Sequence, residues 1–395
     1  MFSTLQAKAE RLVVGLMSGT SLDGIDAAIV RLEGKGIRTK AELVHFESYA
    51  YEDAFREKLK LLCSPDHSRT PHVCAMNFEL GNRFADAVLE TVARAGLTMN
   101  EIDLVSSHGQ TIWHIPSDIQ DDPYGTRSTL QIGDISVIAK QTGKPVVGDY
   151  RTADMAVGGQ GAPLTPYVDY ILFRDEEKGR IVQNIGGIGN CASLPAGGAP
   201  NEVIAFDTGP GNMIIDQAVY QLSNGSKSYD AGGEWASAGT VQHALLDEML
   251  QHPYFNLQPV KTTGREMFGK QYANDWLARA LEINMRPEDI IATFTAFTAR
   301  SIADSYKQFI FDKQDIHEVL VSGGGAHNVT LMRMLAEYLP NQTVMSSDSY
   351  GITGDSKEAV AFAIFGDHYM FGVPNNLPAA TGAQIPTVMG KLALP

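Results

Sequence analysis

Apolar and polar positions alternate in blocks along this chain, and the first block is the clearest. Val13-Val14-Gly15-Leu16-Met17 is apolar. Ser18-Gly19-Thr20-Ser21-Leu22-Asp23-Gly24-Ile25-Asp26 is mostly small and polar, and Ala27 to Leu32 is mostly apolar again. Two apolar runs about a Gly/Ser/Asp turn predict a β-hairpin. The pattern has an echo at Arg180-Ile181-Val182-Gln183-Asn184-Ile185-Gly186-Gly187-Ile188-Gly189-Asn190, where an Arg again precedes a β-branched strand and a tight turn of small residues. A second echo pairs Ile102-Asp103-Leu104-Val105-Ser106-Ser107-His108-Gly109 with Val319-Leu320-Val321-Ser322-Gly323-Gly324-Gly325. Each half of the chain thus offers a hairpin and then a strand with a small-residue exit. Two similar lobes are expected, an N-terminal one over residues 1–170 and a C-terminal one over 171–395.

Between these landmarks the period changes to that of helices. Ala75 to Ala95 carries Phe78, Phe84, Val88 and Val92 near 3.6-residue spacing. Pro287 to Phe311 opens with Pro287, Glu288 and Asp289, which suit a first turn, and holds the stripe Ile302, Tyr306, Phe309. Ser356 to Tyr369 reads as a third helix. Strands alternating with helices give an α/β class.

Composition narrows the partners. The 395 residues suggest two domains, and a 44% hydrophobic content supports a sizeable core. The net charge of −15, from 31 basic and 46 acidic residues, disfavours nucleic acid or an anionic membrane as a partner. An anionic ligand then needs a local set of N–H groups, Lys or Arg. Three cysteines, Cys63, Cys74 and Cys191, lack metal spacing and suit a reducing cytoplasm. Met1 to Arg11 is too polar for a signal peptide, and no apolar run approaches a membrane span.

Several short runs carry chemistry. The hairpin tip at 18–26 combines small residues, hydroxyls and carboxylates, a composition that can wrap a polyphosphate and hold Mg²⁺ through an Asp. Phe206-Asp207-Thr208-Gly209-Pro210-Gly211-Asn212 follows an apolar strand, Val203 to Phe206, and precedes a helix from Met213 to Leu222. A carboxylate there serves as a general base or caps the helix. Ser106-Ser107-His108-Gly109-Gln110-Thr111 gathers hydrogen-bonding groups for a polyhydroxylated ligand. The run from Gly148 to Leu164 is the densest in glycine and polar residues; Arg151 can bind a carboxylate in bidentate fashion or pair with Asp154. Val321 to Asn328, with three glycines, either admits a flat or phosphorylated ligand or is a plain strand-to-helix turn. Lys261-Thr262-Thr263-Gly264-Arg265-Glu266 adds two cations in a turn, either of which can simply be solvated. Neither GxGxxG in its strand-turn-helix form nor GxxxxGK[ST] is present.

Taken together these runs resemble the 1,6-anhydro-N-acetylmuramic acid kinase family. The matching pieces run in order over nearly the whole chain: GLMSGTSLDGIDA at 15–27, SSHGQTIWH at 106–114, LQIGD at 130–134, RTADMAVGGQGAPLTP at 151–166, NIGGIGN at 184–190, FDTGPGN at 206–212, KTTGREMF at 261–268 and SGGGAHN at 322–328. The resemblance implies a two-lobed, actin-like ATPase fold of the sugar-kinase type, with ATP in an interlobe cleft. It implies a double reaction, in which water opens the anhydro ring and O6 takes the γ-phosphoryl group, in bacterial cell-wall recycling. A homodimer is a family expectation.

Residue by residue, the resemblance makes Asp207 the base that activates water and Glu358 a second sugar-site carboxylate. Gly19, Thr20, Ser21, Leu22, Asp23, Gly24, Ile25 and Asp26 would form the first ATP phosphate loop. Gly186, Gly187, Gly209, Gly211 and Asn212 would form the second phosphate region, and Gly323, Gly324, Gly325 and Asn328 the adenosine side. His108, Gln110, Arg151 and Asp154 would face the sugar, with Arg151 on its lactyl carboxylate. The wider superfamily usually has an Asp before the first glycine turn, where this chain has Leu16-Met17-Ser18, so the resemblance passes the Mg²⁺ role to a neighbour such as Asp23 or Asp26, or to waters. Two other readings are a different sugar kinase on the same fold and a non-catalytic ATP or sugar sensor. The presence of both Asp207 and Glu358 argues against the sensor.

Overall fold

The computed structural model describes residues 2–119, 122 and 124–395. Its strands, in chain order, are β1 (Glu10–Ser18), β2 (Gly24–Glu33), β3 (Lys40–Ala50), β4 (Leu104–Ile115), β5 (Ser128–Ile132), β6 (Val146–Gly148), β7 (Arg180–Ile185), β8 (Ile188–Leu194), β9 (Ile204–Pro210), β10 (Glu318–Ser322), β11 (Thr343–Ser346) and β12 (Lys391–Ala393). They fall into two sheets, one in each of two compact units. The first unit is Met1–Leu172 with Asp355–Pro395, and the second is Phe173–Gly354.

The sequence echo is a topological one. In the first sheet the order is β12-β6-β4-β1-β2-β3, with β5 added on β4; in the second it is β11-β10-β7-β8-β9. Each therefore contains the same five-strand path. β1 pairs antiparallel with β2 and parallel with β4, as β7 does with β8 and β10. β3 and β9 extend the antiparallel side, and β6 and β11 the parallel side. Two mixed sheets flanked by helices give the doubled α/β architecture the sequence leads one to expect.

The unit boundary differs from the expected one. The second unit ends at Gly354, and residues 355–395 belong to the first. The physical reason lies at Gly15 on β1, where a Cβ would stand 2.0 Å from the carbonyl oxygen of Ala359. Only glycine allows the helix Lys357–Met370 to lie so close to the sheet. Arg11 then fixes the far end of that helix by a bidentate pair to Asp367, with Nε–Oδ1 at 2.9 Å and Nη2–Oδ2 at 2.7 Å.

The long helices sit close to their expected spans. Thr70–Arg94 buries Leu80, Phe84, Val88 and Val92, an i, i+4 stripe, whereas Phe78 is exposed. Pro287–Phe309 is the central helix of the second core and buries Ile302, Tyr306 and Phe309. Among the described residues no helix is long and apolar enough to cross a membrane.

Candidate active site

In the first unit the β1–β2 hairpin brings Met17 opposite Asp26 and leaves a short tip. Gly19, Thr20, Ser21 and Asp23 reach the surface, and Asp26 is half-buried. Leu22 and Ile25 point into the core, and a Cβ on Gly24 would meet the Tyr49 carbonyl oxygen at 2.3 Å. These three residues of the expected phosphate loop shape the turn, while the other five face solvent. The loop is held from beneath by Ser18 and Gln110. Ser18 Oγ lies 2.6 Å from Gln110 Oε1, and Gln110 Nε2 donates to the Gly19 carbonyl at 3.0 Å. Gln110 is fully buried with both ends of its amide engaged, so it braces the loop instead of facing a sugar.

The Asp26 carboxyl is pushed up by burial, with Asp23 and Asp355 adding like charge and Ser48 opposing through a hydrogen bond. Asp23 accepts from Ser21 Oγ at 2.8 Å. Among the described residues no group of three ligating side chains forms a metal cage.

Arg151 opens the short helix Arg151–Ala156. Its Nε donates to His108 Nε2 at 3.0 Å and its Nη1 to the Gly161 carbonyl at 2.7 Å. His108 is buried, and its Nδ1 sits 2.9 Å from the Gly109 carbonyl oxygen. That arrangement needs a neutral ring with the proton on Nδ1 and an acceptor at Nε2. Burial, and secondly the Arg151 charge, push its pKa down to about 3. His108 therefore orients Arg151.

Asp154 is 0% exposed and accepts three hydrogen bonds: from Asn376 Nδ2 and Thr381 Oγ1, each at 2.8 Å, and from the Gly161 N–H at 2.9 Å. The alternative Arg151–Asp154 hydrogen-bonded pair does not form. Asp154 ties the glycine-rich loop to the 376–381 segment, and no face of it is left for a sugar. Glu358 stands in the first turn of Lys357–Met370 and makes no hydrogen bond among the described residues. The protein packed around it raises its pKa, although water reaches the side chain; Lys357 and Arg151 partly offset the rise, and Asp26 adds to it. Lys357 beside it pairs with buried Asp169 at 3.1 Å, which anchors this end of the helix.

In the second unit three glycine turns converge. A Cβ on Gly211 would meet the Gly186 carbonyl oxygen at 2.2 Å, and the Asn212 N–H donates to that same oxygen at 2.7 Å. The Gly211 N–H donates to the Gly187 carbonyl at 2.9 Å. Gly323, with φ +78°, and Gly325 both pack on Ile185 at the end of β7, and Gly324 lies beside the Asn212 amide. Gly209 instead packs against the Phe255 ring, and Asn328 caps the helix Val329–Tyr338 through its Oδ1. Next to Gly187 opens a cavity of about 590 Å³, lined also by Met213, Asp216, Gln217, Tyr220 and Arg265. Burial, with Asp230 secondary, pushes Asp216 up to about 6.

Asp207 lies within β9, not at its end, and does not cap the following helix. Its Oδ2 accepts from the Thr263 N–H at 2.9 Å, while its Oδ1 takes no hydrogen bond among the described residues. Burial pushes its pKa up to about 6 against the Thr263 hydrogen bond. Thr263 and Tyr254, whose OH donates to the Asp207 carbonyl at 2.7 Å, are absent from the sequence-based site. The only local hint is the KTTG turn itself. Lys261 in that turn is buried, so of the two cations it is not the solvated one.

The model of the anhydro-N-acetylmuramic acid kinase family matches residues 11–394. The chain belongs to this family. A family member from Caldanaerobacter subterraneus subsp. tengcongensis is 49% identical over 387 residues, covering 98% of this chain and 98% of that protein. Another from Bacillus cereus is 43% identical over 385 residues, covering 97% of this chain and 99% of that protein. Both carry the name anhydro-N-acetylmuramic acid kinase. Among solved structures, component A of the Acidaminococcus fermentans (R)-2-hydroxyglutaryl-CoA dehydratase matches with a TM-score of 0.45 at 13% identity, over 91% of this chain and 99% of that one. Membership in the family makes the chain an ATP-dependent sugar kinase.

Proposed function

We propose that this kinase adds water across the C1–O6 bond of 1,6-anhydro-N-acetylmuramic acid and phosphorylates O6, giving N-acetylmuramic acid 6-phosphate and ADP in peptidoglycan recycling. Asp207 removes a proton from water, and the water oxygen bonds to C1. The C1–O6 pair of electrons passes to O6, which attacks the γ-phosphorus as its bond to the ADP oxygen breaks. The observation that supports this most is the Asp207 carboxylate. One oxygen is fixed by Thr263, the other takes no hydrogen bond among the described residues, and a pKa near 6 keeps the group basic at neutral pH and still able to take a proton.

The first unit supplies the sugar-side groups. Arg151, steered by His108, holds the lactyl carboxylate with its remaining Nη2, and Glu358 accepts from sugar hydroxyls. In the second unit the turns at Gly186, Gly187, Gly211 and Gly324 approach the phosphates, and the cavity beside Gly187 takes the nucleoside. The fit to Mg²⁺ rests on Asp26, whose charge is crowded by Asp23 and Asp355 and would be relieved by a cation. Asp26 and Asp23 would hold the ion together with phosphate oxygens and water, as Mg²⁺ prefers. Its chemistry there is neutralisation of phosphate charge. Replacing Asp207 with Asn tests the assignment: turnover should vanish while ATP affinity is kept, and near-normal turnover would remove Asp207 from the role of base.

A further inference from the structure

Lys261 is a buried amine with no carboxylate partner among the described residues. It is 5% exposed, and its Nζ donates to the carbonyls of Tyr254 and Phe255, each at 3.3 Å. The rings of Phe309, Tyr254 and Phe206 surround it, with centroids 4.6, 4.8 and 5.8 Å away. An ammonium in such a place costs desolvation energy, repaid in part by the ring faces and the two carbonyls. Burial lowers its pKa to about 8. A chain needing only to fill this space would do so with Met or Leu.

The hydrogen bonds around it close into a brace on one residue. The Asp207 N–H donates to the Lys261 carbonyl at 3.0 Å. The Tyr254 hydroxyl donates to the Asp207 carbonyl at 2.7 Å, and Lys261 Nζ returns to the Tyr254 carbonyl. Two residues on from Lys261, the Thr263 N–H reaches the Asp207 carboxylate. Both flanks of the Asp207 peptide and one carboxylate oxygen are thus held by the 254–263 segment, and Lys261 ties the two ends of that segment together.

We propose that Lys261 is a positioning residue for Asp207: by bonding the Tyr254 and Phe255 carbonyls it holds the 254–263 segment where Thr263 and Tyr254 fix the Asp207 carboxylate. This rests on the reading of Asp207 as the water-activating base. Lys261 touches no reacting atom, and its effect passes through Thr263 and Tyr254. The other titratable groups facing Asp207 are Cys191 on β8 and Tyr254, both raised by burial and neutral at physiological pH. A shift in the acidic limb of activity therefore reports Asp207 itself.

The test compares K261M, Y254F and D207N with the wild-type enzyme, each followed by thermal melting and by kcat against pH. In K261M the Thr263 hydrogen bond, which lowers the Asp207 pKa, slackens. The acidic limb then moves to higher pH, and kcat falls about tenfold, with KM for sugar and ATP within about twofold. Y254F shifts the limb in the same direction and decides the matter should K261M fail to fold. Unchanged limbs in the folded variants, with any loss confined to melting temperature, overturn the role of Lys261 while leaving Asp207 as base. Full turnover in D207N overturns the underlying reading instead.

Discussion

The Nε–H of Arg151 donates to Nε2 of His108 across 3.0 Å, and the other nitrogen of the same ring faces the Gly109 carbonyl oxygen at 2.9 Å. A histidine locked in this way is a fixed acceptor. It turns the guanidinium so that one terminal nitrogen bonds Gly161 and the other stays available for a carboxylate.

This pair predicts a specificity effect. H108A should raise KM for the lactyl-bearing sugar by about tenfold, the size expected when a charge-assisted hydrogen bond loses its alignment. An anhydro sugar without the lactyl group should be affected far less. H108Q, which keeps an acceptor, should restore part of the difference. Equal losses on both sugars would contradict the steering role. With a pKa near 3, His108 should also show no titration between pH 8 and 5 in its ring NMR signals.

A second prediction concerns pH. Asp207 is raised to about 6, so kcat should rise with pH through that value as the carboxylate deprotonates, and level off above it. An acidic limb near pH 4, the ordinary carboxylate range, would mean that this carboxyl is not the one being read.

Asp154 and Gly15 should behave as scaffold. D154A leaves the Asn376, Thr381 and Gly161 donors unpaired in a buried place, at a cost of about 3 kcal/mol. Chemical denaturation should detect that loss, while the fraction that remains folded keeps a near-normal KM. G15A forces a Cβ into the Ala359 carbonyl and should cost about 1–3 kcal/mol. A stable, inactive D154A would return Asp154 to the sugar site.

Removal of Mg²⁺ by a chelator should stop turnover. D26N should raise the Mg²⁺ concentration needed for half-maximal rate by about tenfold, through loss of one ligand carboxylate. A D26N enzyme with an unchanged Mg²⁺ requirement would move the ion elsewhere.

The doubled hairpins are legible in the sequence because their signal is local: Arg, a β-branched run and a small-residue turn lie within eleven positions at Arg180 to Asn190. Asp207 stands out for the same reason, as a carboxylate with two glycines close behind it, although the structure sets it within β9 and not after a strand. What escapes depends on partners far along the chain. Asp154 looks like a ligand-facing acid until Asn376 and Thr381 return to it. Lys261 looks solvated until Phe309 and Phe206 close over it. The C-terminal helix reads correctly as a helix near 356–369, but its place in the first unit is set by Gly15, whose missing side chain carries no local signal. Phe78 shows the limit of periodicity: an aromatic at nearly the right spacing is exposed, while Leu80, two residues on, occupies the core.

The reaction itself is tested most directly by turnover in oxygen-18 water with ATP and 1,6-anhydro-N-acetylmuramic acid, quenched early and read by mass spectrometry. The account predicts a ring-opened sugar 6-phosphate carrying one heavy oxygen at C1 and none in the phosphate. A phosphorylated product with its bicyclic ring intact, or phosphorylation of only the already open sugar, would contradict it.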